Sequence, residues 1–259
     1  MLARKDFFIL LTRLLLGYIF ISSGLCKVSL GYFGQVIGPP QLETVLAPYK
    51  LELFGTLIGI TQVICGLLMF SQRFSTLGAI MLLPMNICIL GVTVSMGWQG
   101  TPYVNVLFSI LNILVLLYDW HKLKFLFSID KIYALKTTAL DGLNKNPYHI
   151  LALVCGLLAL LFAKVNPIFI ACAGILCFSL ICWSIVRSRL LNRIQQAVVV
   201  AATINMIMIT IIGRFSPIND KLVGVNSVIL FVLFVISLFR LAPKRIKESK
   251  LSGEMQSSR

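Results

Sequence analysis

Four polar side chains stand out by where they fall: Arg13, Gln62, Asn86 and Asn112 all lie inside stretches that are otherwise apolar. A charged side chain among apolar neighbours is costly to desolvate, so it marks either a partner or a function. Counted at 1.5 Å per residue from the basic end of its own apolar run, Arg13 lies roughly 9 Å deep, Asn112 roughly 9 Å and Gln62 roughly 12 Å. Asn86 falls near the middle of its run. One guanidinium and three amides at similar depth would form an inner-leaflet pocket able to grip a polar headgroup or a quinone carbonyl. The competing reading is structural. Arg13 snorkels to the interface and pairs with Asp119, and the asparagines hydrogen-bond neighbouring helices. At the opposite ends of the first two runs stand Lys27 and Glu52. An antiparallel hairpin of the two runs predicts an ion pair between them.

Other chemistries lack their residues. Six of the seven cysteines fall inside apolar runs and no CxxC pair occurs, so packing is their expected role. The two histidines, His121 and His149, both sit at run ends, so no paired axial ligands for a haem and no metal site are expected. Phosphate loops, HExxH and nucleophile elbows are missing. No carboxylate lies near the middle of any run, which weighs against a proton-coupled transporter. Catalysis by this chain alone is therefore not expected. The net charge of +14 comes from short basic clusters between apolar runs. That distribution fits anionic lipid rather than nucleic acid. Trp98, Trp120 and Trp183 fall near run ends, where indole rings anchor helices at an interface. Pro84 predicts a kink close to Asn86.

The elements that would position these residues are transmembrane helices. The chain has 259 residues, 58% of them hydrophobic and only 12% charged, with a mean hydropathy of +0.94. Too little polar surface exists to cover a water-soluble globule. The apolar runs are long and do not alternate, which predicts helices rather than a barrel. Eight spans are expected: Phe7–Leu25, Leu51–Phe70, Phe74–Val94, Val104–Tyr118, His149–Ala163, Pro167–Val186, Ala197–Ile212 and Leu222–Phe239. Arg13 interrupts the first run, and Leu25 before Cys26 spoils a lipoprotein site, so the first run is expected to stay as a helix. With the N-terminus inside, seventeen Lys and Arg fall on the cytoplasmic side and five outside, Arg13 being within a span. Both termini are thus placed in the cytoplasm.

The predicted organisation is all-α and polytopic, as two four-helix bundles. Residues 1–126 form the first unit, 127–146 a cytoplasmic connector, 147–241 the second unit and 242–259 a basic cytoplasmic tail. Landmarks recur between the halves. Gln62-Val-Ile-Cys matches Ser179-Leu-Ile-Cys, Arg73 matches Arg193, Asn86 matches Asn205 and Asn105 matches Asn226, at offsets of 117 to 121 residues. The recurrence implies a parallel repeat, with chance as the alternative.

The first half resembles the DoxX family of four-helix membrane proteins, over about residues 7–126. The elements are Arg13-Leu-Leu-Leu-Gly17 with Ile19-Phe20, then Ser23-Gly24 and Lys27. After them come Gln62-Val-Ile-Cys-Gly66-Leu-Leu, Arg73, the segment STLGAIMLLPM, Gly100-Thr101-Pro102-Tyr103-Val104-Asn105 and Leu117-Tyr118-Asp119. The resemblance implies a redox-associated subunit of a bacterial inner membrane. Such a subunit faces lipid or quinone beside a membrane oxidoreductase that carries the redox cofactor. Two departures weaken any catalytic role. Gln62 stands where the family typically has Glu, and the stretch SMGWQGTPYVN lacks the paired cysteines of one branch. A small-solute or lipid permease and a non-catalytic assembly or scaffold factor are the other two function classes left open.

Overall fold

The computed structural model describes residues 2–38, 42–124 and 138–215. Helices account for nearly all of it, and no strand occurs among the described residues. The helices are α1 (Arg4–Val28), α2 (Leu42–Leu46), α3 (Glu52–Phe70), α4 (Ser75–Ser95), α5 (Thr101–Tyr118), α6 (Trp120–Leu123), α7 (Tyr148–Leu161), α8 (Pro167–Arg187) and α9 (Arg193–Phe215). Short 3₁₀ turns cover Ala47–Tyr49 and Ala139–Lys145. Six of these helices, α1, α3, α4, α5, α8 and α9, are long and apolar enough to cross a membrane. With 14 residues α7 is shorter, about 21 Å of rise. The expected eighth span, Leu222–Phe239, lies outside the described residues.

Local chemistry sets the helix ends. The Asn166 side chain accepts hydrogen bonds from the Ile168 and Phe169 amides, and Pro167 occupies the first turn, so α8 starts there despite a connection of only a few residues from α7. Pro102 likewise stands in the first turn of α5, which follows Gly100 without a side-chain cap. Leu30 and Gly31, both at positive φ, end α1. In α4, Pro84 removes an amide and leaves the Ile80 carbonyl without its usual donor. The helix nevertheless runs unbroken through it.

The α1/α3 hairpin is the spine of the molecule. Gly17 and Gly24 on α1 and Gly59 and Gly66 on α3 each recur at seven residues, putting each pair on one face. A Cβ on Gly24 would lie 2.5 Å from the Gly59 carbonyl oxygen, and one on Gly66 would lie 2.7 Å from the Ile21 amide nitrogen. The two backbones therefore touch, as expected where helices associate without help from water. The contacts also fix register: Gly17 is level with Phe70, and Lys27 with Gly59. Because α1 runs thirteen residues before Gly17 reaches that level, it overhangs α3 at its N-terminal end.

Helix α4 packs on α3 and α5, and α5 returns to α1, closing a ring of four. A ring contact of 6.3 Å between Phe20 and Phe108 joins α1 to α5. Among the described residues the later helices pack against the first four. Tyr18 of α1 and Phe70 of α3 both meet Phe178 of α8 edge to face, at 5.3 and 5.4 Å. The Tyr18 hydroxyl donates to the Met206 carbonyl on α9 at 3.1 Å. Phe33, from the loop after α1, is buried against Gly174 of α8. One apolar core thus joins α1 and α3 to α7, α8 and α9. By contrast α4, α5 and much of α8 carry apolar side chains on their outside, among them Ile87, Leu107, Ile110, Leu117 and Leu176. That surface suits hydrocarbon rather than water.

Candidate functional site

Inside the ring of α1, α3, α4 and α5, at the end where Lys27 stands, lies a half-open cavity. Ile19, Phe20, Ile58, Ile89, Val104 and Phe108 make most of its wall. Polar groups interrupt that wall at Ser23, Lys27, Gln62, Thr93, Thr101 and Asn105, with Trp98 at the α4–α5 turn. Ile37 and Gly38 from the loop after α1 also line it. Gly38 has φ +106°, and a Cβ there would lie 3.4 Å from both the Lys27 Nζ and the Ser23 Oγ. A backbone this close over an ammonium favours glycine on both counts.

Lys27 is the charge of the site. It is 6% exposed, and its Nζ donates to the Ser23 Oγ at 2.5 Å and to the Ser23 carbonyl at 3.1 Å. Lysine and serine sit four residues apart on one helix face, so the pair is local to α1. No carboxylate among the described residues lies within salt-bridge distance of it. The predicted Lys27–Glu52 ion pair does not form. Register gives the reason: Lys27 is level with Gly59, seven residues and roughly 10 Å of rise past Glu52. Glu52 is exposed at the helix end.

Gln62 and Asn105 are both buried, and their carbonyl oxygens, Oε1 and Oδ1, have no hydrogen-bond partner. Both side chains line the cavity, and with no bond to fix them either end of each amide can be turned toward it. Thr93 lines the same wall with its hydroxyl donated to the Leu90 carbonyl at 3.1 Å. Asn86 lies seven residues before Thr93, on the same α4 face and beneath the cavity. It is 0% exposed, and neither its Oδ1 nor its Nδ2 has a partner.

The structure divides the four residues expected to share one pocket. Of them only Gln62 lines this cavity. Asn112 is buried and donates from Nδ2 to the Ala79 carbonyl at 3.1 Å, tying α5 to α4. Arg13 lies at the other end. Since Gly17 is level with Phe70, Arg13 and Gln62 are separated by about 18 Å along the hairpin. Depths counted from each helix's own end concealed the overhang of α1.

Arg13 belongs to a polar knot at the opposite end of the ring. Its guanidinium Nη2 donates to Asp119 Oδ2 at 2.6 Å with both side chains buried. Thr76 donates to the same oxygen at 2.9 Å. Lys122 lies 3.5 Å from Asp119 Oδ1 and 2.6 Å from Asp141 Oδ1. The Tyr118 hydroxyl donates to Asp6 Oδ1 at 2.8 Å, and the Arg13 guanidinium lies 5.8 Å from the Tyr118 ring centroid. Burial would raise the Asp141 carboxyl. Hydrogen bonds from Lys122 and from the Thr138 amide and hydroxyl outweigh it and hold the group below its ordinary value. The knot joins α1, α4 and α5 to the turn at Ala139–Lys145 through charge pairs, with only the Arg13 Nε and Asp119 Oδ1 of that pair lacking a hydrogen bond, which makes it a clamp.

His149 is buried at the start of α7. Its Nε2 lies 2.7 Å from the Leu143 carbonyl and 2.8 Å from the Ser184 Oγ. The carbonyl only accepts, so Nε2 carries the proton and cannot act as base toward the serine. No group of three or more His, Cys, Asp or Glu side chains able to hold a metal occurs among the described residues.

Asn105, Ser23, Thr93, Thr101 and Trp98 were not read as site residues from sequence. A signal existed for two of them: Ser23 precedes Lys27 by one helical turn, and Asn105 is the lone amide in the first turn of its run. Compared with protein-family models, with curated proteins and with solved structures, the chain gave no match.

Proposed function

We propose that this chain is a multi-pass membrane protein whose first helical ring holds a lipid-soluble molecule by its polar head. In this reading it serves as an accessory, non-catalytic subunit of a membrane redox complex. The observation that carries the reading is the cavity: an apolar interior with a few polar groups, Lys27, Gln62 and Asn105 foremost. Ligand sites have that composition. A quinone or a lipid would place its tail among Phe20, Ile58 and Phe108 and its head near Lys27. The redox setting comes from the DoxX resemblance. It gains support because the residues that carry it meet in space: Gly17 and Gly66 where α1 touches α3, Arg13 on Asp119, and Gln62 with Asn105 on one cavity.

The finer layout belongs to the same proposal. Eight spans, with both termini in the cytoplasm of a bacterial inner membrane, put the Arg13 knot at the cytoplasmic face and the cavity toward the outer leaflet. The basic side chains support that sorting. The repeat is supported by neighbour order, since α7 packs on α8 and α8 on α9 as α1 packs on α3 and α3 on α4. A permease would be expected to expose Asn86 and Asn205 to a common channel, and neither lines the cavity. A pure scaffold role predicts that nothing occupies the cavity.

The test is extraction of the full chain in mild detergent and mass spectrometry of the lipophilic molecules and proteins that accompany it. A stoichiometric lipid or quinone that disappears in Gln62→Leu/Asn105→Leu supports the reading. Protein that is empty from native membranes, and that takes up no added lipid or quinone, overturns it. An oxidoreductase in the same fraction supports the accessory role, and its absence under cross-linking removes that role.

A further inference from the structure

We infer that the molecule held in this cavity is a single-chain amphiphile whose head is a carboxylate, a fatty acid in chemical class. The inference rests on the cavity reading above and narrows it. Its first ground is charge. An ammonium that is 6% exposed, in a wall made mainly of Ile and Phe, is costly unless a negative charge accompanies it. Ser23 supplies two dipoles but no charge. Among the described residues the candidate carboxylates on packed elements are engaged or remote. Glu43 of α2 accepts from Thr56 at 2.7 Å and lies 3.6 Å from Lys164, and Glu52 is exposed at the helix end. An anionic head would complete the pair.

The second ground is the free amides. Gln62 and Asn105 both line the cavity, and their carbonyl oxygens are held by no donor. Each amide can therefore turn an N–H to a ligand. With Lys27 they make a set of three donor side chains. A carboxylate accepts from such a set through both oxygens. A quinone accepts at a carbonyl but brings no charge, so it leaves the lysine uncompensated. The third ground is the wall. Phe20 and Phe108, which meet at 6.3 Å, with Ile19, Ile58, Ile89 and Val104 surround the cavity with apolar side chains, the environment that an acyl chain takes.

The experiment uses the full chain in phosphatidylcholine nanodiscs, with four probes: dodecanoate, its methyl ester, decylubiquinone and phosphatidate. Dodecanoate should bind saturably, and the ester, with the same chain and no charge, at least about tenfold more weakly. This comparison needs no variant. Lys27→Met should abolish the preference for acid over ester and raise the thermal stability of the empty protein, because a buried lone charge is gone. Equal binding of acid and ester overturns the inference. Decylubiquinone that binds and is not displaced by dodecanoate overturns it while leaving the cavity reading standing. Phosphatidate binding with dodecanoate silent assigns the head to a phospholipid and does the same. Failure of all four probes removes both.

Discussion

Arg13 and Asp119 are a buried ion pair held by its neighbours. Desolvating two charges is compensated by their mutual attraction and by further polar partners. Here Thr76 and Lys122 serve Asp119 as well. Truncating one member leaves the other charged and buried, so Arg13→Met should destabilise by about 3–5 kcal/mol. The double variant Arg13→Met/Asp119→Leu should lose much less. Thermal melts of the purified single and double variants check the order, and additive losses would show that the two residues act separately. Asp141 gives a pH signature at the same end. Its carboxyl titrates below its ordinary value of 3.8 in the folded protein. A depressed carboxylate contributes stability above the unfolded value and loses it as pH falls through the folded one. The anchoring of the Ala139–Lys145 turn should therefore weaken below about pH 4. Hydrogen exchange across the turn between pH 3 and 5 should show this in the unaltered protein, and Asp141→Asn should show weak anchoring at every pH.

At the scale of the helix, small residues decide what can approach what. Gly24 and Gly66 let α1 and α3 touch, and a side chain at either site would meet backbone rather than a movable side-chain end. Gly24→Val or Gly66→Leu should push the helices apart and cost about 1–3 kcal/mol or more. Gly91→Ala, with nothing within 4 Å of the added atom, should be silent. Size-exclusion profiles and melting temperatures of the three proteins check this. The same helices show what sequence carries and what it does not. Spans are legible because hydrocarbon burial needs an unbroken apolar run: the seven expected runs that fall within the described residues coincide with helices, their ends shifted by a few residues, and six of these are long and apolar enough to cross a membrane. Offsets between helices leave no trace in composition. Gly17 opposite Phe70 sets them, and so Arg13 and Gln62, similar in depth when counted from their own ends, stand at opposite ends of the ring. The Arg13–Asp119 pair was legible because a buried guanidinium needs a carboxylate, and few are on offer. The cavity was not legible: it forms from a lysine, two amides and a loop glycine on separate elements.

For the molecule as a whole, the two halves read from sequence as separate bundles share one core. Phe178 of α8 meets both Tyr18 and Phe70, Phe33 is seated against Gly174, and the Gly34 amide donates to the Thr210 carbonyl at 3.2 Å. At the far end the Leu2 amide donates to the Leu190 carbonyl at 3.0 Å. The loop that roofs the cavity is thus held by helices of the second half, which makes occupancy of the cavity depend on how the halves dock. Each half buries its own hairpin, so each should insert when expressed alone, and the halves should then find each other in the bilayer. Residues 1–137 carrying a tag should retain untagged 138–259 when the two are co-expressed. Gly174→Leu places a branched side chain where the Phe33 ring lies, and should reduce that retention by at least about fivefold, a loss of about 1 kcal/mol in docking. Gly91→Leu should leave retention unchanged. Halves that purify separately, or a Gly174→Leu fragment retained as well as the unaltered one, would mean that the shared core does not hold the molecule together and that the loop over the cavity is positioned by the first half alone.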